Sequence, residues 1–109
     1  MLKEISEIGQ VEVIKGFKGR FFHTNSSTIA FWEIEKDSIL PLHSHIHEQT
    51  TQLIEGKLEM TIDNKTMVLE PGMIVCIPSN IKHSGKALTT CKLTDTFCPV
   101  REDYKFEKI

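Results

Sequence analysis

No run of lysine or arginine occurs in the 109 residues: thirteen basic and fifteen acidic side chains are scattered, leaving a net charge of −2. Without a cluster of cations to displace counterions, nucleic acid is not an expected partner. Long apolar runs are missing too. The longest, MIVCI (Met73 to Ile77), is far below the roughly 20 residues that a membrane-spanning helix needs, so no membrane partner is expected either. The first residues, MLKEISEIGQ, are polar and lack the apolar core of a secretory signal. Cysteine is scarce, odd in number and without metal-type spacing: Cys76 lies in the apolar run, and Cys91 and Cys98 follow. Reduced thiols and a cytoplasmic location are the expectation. No repeat, linker or low-complexity stretch divides the chain. Its length suits one domain that buries roughly two thirds of its unfolded surface. The expected boundaries are 1–109, with a core over about 15–100 and a C-terminal tail over 101–109.

What the chain does have is strand signal. FKGRFFHT and STIAFWEIE are rich in aromatic and β-branched residues and are separated by the polar break TNSS. TTQLIE and KLEMTID flank Gly56, which predicts a hairpin there, with Leu58, Met60 and Ile62 on one face. A tight Asp63-Asn64 turn leads to KTMVLE, Pro71-Gly72 breaks the chain before MIVCIP, and a last strand runs from Leu88 to about Phe97. No segment before Pro99 sustains a 3.6-residue apolar period; only REDYKFEKI is expected to form a terminal helical turn. Many short strands require a closed or two-sheet arrangement, because an open sheet leaves unprotected edges. The fold class is all-β, a small β-barrel or jelly roll.

Three of the five histidines crowd into LPLHSHIHEQTTQLIEG, at alternate positions His43, His45 and His47. On a strand, residues two apart point the same way with Cα atoms about 6.6–7 Å apart, so two imidazoles can converge on one ion. A regular strand keeps the third out, since His43 and His47 would stand about 13 Å apart. A bend near His45, before the new strand TQLI, brings Gln49 back toward the ion. A fourth group must come from elsewhere, and His83 in IPSNIKHSG is the best placed. His47 is then a neighbour or a solvated residue, and His23 an ordinary strand residue.

The pattern H-S-H-x-x-x-Q-x-x-x-x-x-x-G, from His43 through Gln49 to Gly56, resembles the first motif of the cupin superfamily. Gly72-x5-Pro78-x-Asn80-x-x-His83 resembles the second. The resemblance implies a cupin-type jelly-roll β-barrel, also called a double-stranded β-helix, with a metal in its mouth. It implies the ligands His43, His45, Gln49 and His83. Asp37 and Asn80 stand where the motifs usually have Gly, and Ala87 replaces the closing Asn. Asp and Asn tolerate left-handed turns better than other residues, so these departures do not threaten the fold. Gln49 replaces the usual Glu. Three neutral imidazoles and an amide oxygen leave a divalent ion its full charge, a stronger Lewis acid than a site with a carboxylate. Zn, Ni, Fe, Mn and Cu all suit such a set.

The closing stretch LTDTFCPVREDYKF carries D-x-F-x-P-x-R-E-D-[FY]. This is similar to the terminal signature of small single-domain cupins that convert unsaturated uronates, from pectin and alginate breakdown, into linear keto sugars. That resemblance implies the catalytic residues Asp95, Phe97 and Arg101. Asp95 and Phe97 share one face of a strand. Asp95 would move a proton, Phe97 would pack a sugar face, and Arg101 would grip a carboxylate with its planar fork. A plainer reading makes Phe97 core and Asp95–Arg101 a surface pair worth about 0–1 kcal/mol. Arg20 is a further candidate for a carboxylate contact. The expected function is a metal-assisted, isomerase-type reaction on a small anionic sugar, by a homodimer as the resemblance implies. The alternatives are an Fe(II)-dependent dioxygenase and a non-catalytic module that binds a metal or a small ligand.

Overall fold

A computed structural model describes residues 1–106. Ten strands follow one another: β1 (Val11–Ile14), β2 (Phe17–His23), β3 (Thr28–Ile34), β4 (Ile39–His43), β5 (Glu48–Glu55), β6 (Leu58–Ile62), β7 (Lys65–Leu69), β8 (Ile74–Ile77), β9 (His83–Ala87) and β10 (Cys91–Cys98). They form a six-stranded sheet in the order β1-β2-β3-β10-β5-β8 and a four-stranded sheet in the order β4-β9-β6-β7. All recorded pairings are antiparallel. This is the all-β jelly-roll barrel expected, as a single domain.

The two-residue alternation of the strands builds the interior. Cys91, Leu93, Asp95 and Phe97 on β10 are buried, and so are Thr28, Ala30, Trp32 and Ile34 on β3 and Leu58, Met60 and Ile62 on β6. Both sheets contribute to one apolar cluster. Fully buried aliphatic side chains such as Leu53 and Ile77 each stabilise it by roughly 1.5–3 kcal/mol. Asp95 interrupts the apolar series of its strand, and the candidate site begins there.

Several sequence expectations need correction. Gly56 is not the turn of a hairpin: β5 pairs with β10 and β8, whereas β6 pairs with β7 and β9. Gly56 is instead a corner at which the chain changes sheets, with φ +95°, and an added Cβ would collide with the Thr90 carbonyl oxygen. The Asp63-Asn64 hairpin is present, with φ +50° and +65°. The final strand begins at Cys91 rather than Leu88, and β1 and β9 carried no separate expectation. Cys76, despite its apolar neighbours, is exposed on β8; Cys98 is exposed, Cys91 is buried, and all three are free thiols. The terminal turn is a 3₁₀ turn over Glu102–Tyr104; the end of the expected tail, 107–109, lies outside the described residues. Among the described residues no helix is long and apolar enough to cross a membrane.

The departures at Asp37 and Asn80 are accommodated as expected, at φ +70° and +66°. Ala87 is core, and its backbone rather than its side chain serves the turn: its carbonyl accepts from Asp37 N–H and its N–H donates to Ser38 O. Gly56→Ala forces both a left-handed alanine and a backbone clash, so it is expected to destabilise the fold by at least about 1–3 kcal/mol in urea unfolding. A loss under about 0.5 kcal/mol would mean that the corner tolerates a side chain.

Candidate functional site

β4 lies at the edge of its sheet, where Pro41 is tolerated because no ladder bond is needed from its nitrogen. Its last residue, His43, stands opposite His83 of the neighbouring β9. The chain leaves the strand after His43, so His45 sits on the following bend. That bend is laced to the turn ahead of β9: Asn80 N–H donates to the His45 carbonyl at 2.8 Å, and the Ser79 hydroxyl donates to Ile46 O. The left-handed Asn80 is thus the hinge that brings the two motifs together. One ring nitrogen each of His43, His45 and His83 falls within 4.8 Å of the others.

The tautomers follow from the second nitrogens. His43 Nδ1 lies 2.7 Å from Pro41 O, His45 Nδ1 2.9 Å from His47 O, and His83 Nδ1 2.9 Å from Ile81 O. A carbonyl only accepts, so each Nδ1 carries the hydrogen and each Nε2 presents a lone pair. His83 Nε2 is buried with no partner. His45 Nε2 lies 3.0 Å from Gln49 Oε1, so two acceptors face each other, an arrangement that only a cation between them makes favourable. Burial pushes His83 down to about 4, aided by His43, His45 and Arg101. Burial and Arg101 also lower His45. Protons are therefore disfavoured as that cation, and the donor set fits a divalent metal ion.

Gln49 joins this cluster to an acidic one. Its amide nitrogen donates to Thr51 Oγ1 at 2.9 Å and to Asp95 Oδ1 at 3.3 Å, while the Thr51 hydroxyl donates to the same Oδ1 at 2.6 Å. Thr51 is directly opposite Asp95 across the β5–β10 ladder, so strand register fixes the contact. Trp32 Nε1 is buried beside the carboxylate but completes no hydrogen bond. Burial raises Asp95 to about 6, against the lowering effect of Thr51 and Gln49. Asp95, Gln49, His43, Phe97 and Arg101 line one cavity of about 150 Å³. That is below the roughly 300–1,000 Å³ of sites for drug-sized ligands, so an enclosed ligand must be small.

Asp95 and Arg101 do not form a surface pair; both are buried. Arg101 instead holds Asp103, through Nε at 2.9 Å and Nη2 at 2.7 Å, and these bonds keep the Asp103 carboxyl below its usual range. The guanidinium lies 4.7 Å from the Phe97 ring centre and 4.0 Å from that of Tyr104. One edge of its fork is therefore taken. Phe97 is both core and cavity wall, edge-on to His45 at 5.7 Å. His47 stays outside the histidine cluster, its Nε2 3.3 Å from Val100 O. Arg20 is not a cavity residue: its guanidinium holds the carbonyls of Ser6 and Ile8 in the N-terminal segment. His23 is more than a strand filler. It bonds Thr28 Oγ1 and the Tyr104 carbonyl, and the same Thr28 oxygen accepts from Arg101 N–H. Thr51 and Asp103 were missed; the signals available were the inward alternation 49, 51, 53 for the first and the acidic residue two places after Arg101 for the second.

Residues 30–97 match the cupin domain family, and the chain belongs to that family. Among solved structures it is similar to an RmlC-like cupin from Shewanella frigidimarina NCIMB 400, at 23% identity and a TM-score of 0.90 over 94% of each chain. It is similar to KdgF from Halomonas sp., at 23% identity and a TM-score of 0.85 over 90% of this chain and 92% of that one. A salicylate 1,2-dioxygenase from Pseudoaminobacter salicylatoxidans aligns at 17% identity and a TM-score of 0.74, over 78% of this chain but 25% of its own. At these identities the likeness speaks for the shared fold. No curated protein matches the sequence.

Two outcomes are expected. Metal analysis of purified protein should find one divalent ion that His83→Ala removes; full occupancy in that variant would dismantle the site. The second concerns stability in chelator-treated protein. His83, lowered from 6.5 to about 4, is neutral when folded and takes a proton when unfolded, so stability is lost as pH falls through that window. Asp95, raised from 3.8 to about 6, acts oppositely and adds stability as pH falls below about 6. Asp95→Asn should therefore steepen the acid loss between pH 6.5 and 4 in urea titrations, and a shallower loss would contradict the assignment.

Proposed function

We propose that this cupin is a metal-dependent enzyme that converts a small anionic sugar acid, such as a 4,5-unsaturated uronate, to its linear keto form. The observation that carries this reading is one cavity lined by Asp95, Phe97 and Arg101 together with His43 and Gln49. The C-terminal D-x-F-x-P-x-R-E-D-[FY] signature and the resemblance to small uronate-linearising cupins support it, as does the whole-chain likeness to KdgF. In this reading His43, His45, His83 and the Gln49 amide oxygen hold the ion. A bound divalent ion supplies Lewis acidity and a seat for substrate oxygens.

The chemistry asks for little beyond positioned proton transfer. Opening the ring breaks the bond between C1 and the ring oxygen as the C1 hydroxyl gives up its proton, leaving an aldehyde and an enol. The enol becomes a ketone when its hydroxyl proton leaves and C4 gains one, so the sum is an isomerisation without an oxidant. Asp95, titrating near 6, is present in both forms close to neutrality and can take one proton and return another. Its hydrogen bonds from Thr51 and Gln49 hold the carboxylate still. Arg101 faces the sugar's carboxylate, and Phe97 offers a flat apolar wall.

The likeness to a salicylate 1,2-dioxygenase and the three-histidine cluster favour a second reading, an Fe(II)-dependent dioxygenase. That reading requires oxygen consumption; the isomerase reading requires none and tolerates several divalent ions. Metal-reconstituted protein should erase the alkene absorbance of an unsaturated monouronate without oxygen uptake. Asp95→Asn should keep the ion and most substrate affinity yet lower the rate by about 10²–10⁴-fold. Arg101→Lys should weaken substrate binding by about 1–3 kcal/mol, because a point charge replaces a planar fork. Unchanged kinetics in both variants would leave a ligand-binding module in place of an enzyme.

A further inference from the structure

Arg101 has a carboxylate on it already, and the side from which that carboxylate approaches decides what it does. Arg101 lines the interior cavity. Asp103 does not; it lines a separate surface groove with Thr24, Asn25 and His47. The two side chains differ accordingly in exposure, 10% for Arg101 and 59% for Asp103. The ion pair therefore forms the partition between groove and cavity, and Asp103 does not occupy the ligand's place.

Arg101 is held by further contacts as well. Its guanidinium carbon lies 4.7 Å from the Phe97 ring centre and 4.0 Å from that of Tyr104, and the two rings are steeply inclined to each other with centres 5.7 Å apart. Its backbone N–H is anchored on the fully buried Thr28, whose hydroxyl neighbours His23, and His23 holds the Tyr104 carbonyl in turn. The bonds to Asp103 use only Nε and Nη2. A guanidinium has five N–H donors in one plane, so the adjacent edge, Nη1 with the second hydrogen of Nη2, is not used by Asp103 and can take another planar acceptor.

We infer that Asp103 is a positioning residue, which grips Arg101 from the groove side and thereby aims the free edge of the fork at a carboxylate in the cavity. The inference rests on Arg101 as the carboxylate anchor of the proposed function and not on the ketonisation step. A flexible arginine would lose conformational freedom on binding, whereas a pre-set one loses little. The geometry also explains why an acidic residue, costly beside an anion, is tolerated here. It lies on the groove side, largely exposed, where its repulsion of a cavity anion is screened.

Calorimetric titration of metal-loaded protein with D-galacturonate, and with neutral D-galactose as control, tests this. The wild-type protein should prefer galacturonate. Asp103→Asn should weaken galacturonate by about tenfold and leave galactose unchanged, with Asp103→Glu recovering most of the loss. In nitrogen-15 spectra, the Arg101 Nε–H signal should be sharp and slowly exchanging in the wild type and lost or rapidly exchanging in Asp103→Asn. Galacturonate binding that stays equal or tightens in Asp103→Asn would overturn the inference, the latter by making Asp103 a competitor. No preference for galacturonate in the wild type would overturn it as well. If unsaturated uronates are not converted while the Asp103-dependent preference holds, the ketonisation reading falls and this one stands.

Discussion

Each histidine of the cluster spends its Nδ1 hydrogen on a backbone carbonyl, and the rest of the site depends on that constraint. Those three bonds select one tautomer, stop the rings from turning and send three lone pairs toward one point. The carbonyls belong to Pro41, His47 and Ile81, all close in sequence to the rings they hold, so local backbone shape sets the aim. Backbone shape is set in turn by a strand that stops at His43, by a left-handed Asn80, and by the bonds from Ser79 and Asn80 into the bend. His43 and His83 come from the four-stranded sheet and Gln49 from the six-stranded one, so the site bridges the two halves of the barrel.

A small barrel has little room for polar groups, because burying one without a partner costs several kcal/mol on transfer scales. The interior here is polar only where it can be satisfied. Asp95 accepts from Thr51 and Gln49, and Gln49 keeps its oxygen toward the histidines because its nitrogen is needed on the other side. The exceptions are Trp32 Nε1, His47 Nδ1 and His83 Nε2. The last belongs to the histidine cluster, whose donor set fits a divalent ion. The Arg101 guanidinium solves the same problem by reaching out to a carboxylate at the rim.

The alternating and turn-bounded strands, β2, β3 and β5 to β8, were legible because each carries its own apolar face and its own breaks. β9 was not. HSGKA has a glycine and a lysine and no apolar alternation, and it is a strand because β4 and β6 pair with it on both sides. The Gly56 hairpin failed for a related reason: which sheet a strand joins depends on partners distant in the chain, and a glycine with positive φ serves a corner as readily as a hairpin. The histidine spacing made the cluster of His43 and His45 with His83 readable, and the two-residue period put Asp95 and Phe97 on one face. Asp103, Thr51 and His23 remained hidden because each works through a partner whose position the sequence alone does not supply. The anchoring of Arg101 on Thr28 spans 73 residues.

The exchange of glutamate for Gln49 has an effect on charge. A carboxylate at that position would stand beside Asp95, where the Gln49 nitrogen now lies 3.3 Å from Oδ1. Two carboxylates at such a distance share a proton and titrate as a dyad, one far above the other. With an amide there, Asp95 receives a hydrogen bond in place of a repulsion and keeps an individual titration in the near-neutral range. A one-atom difference in a residue that faces the histidines thus governs the acidity of a group on its far side.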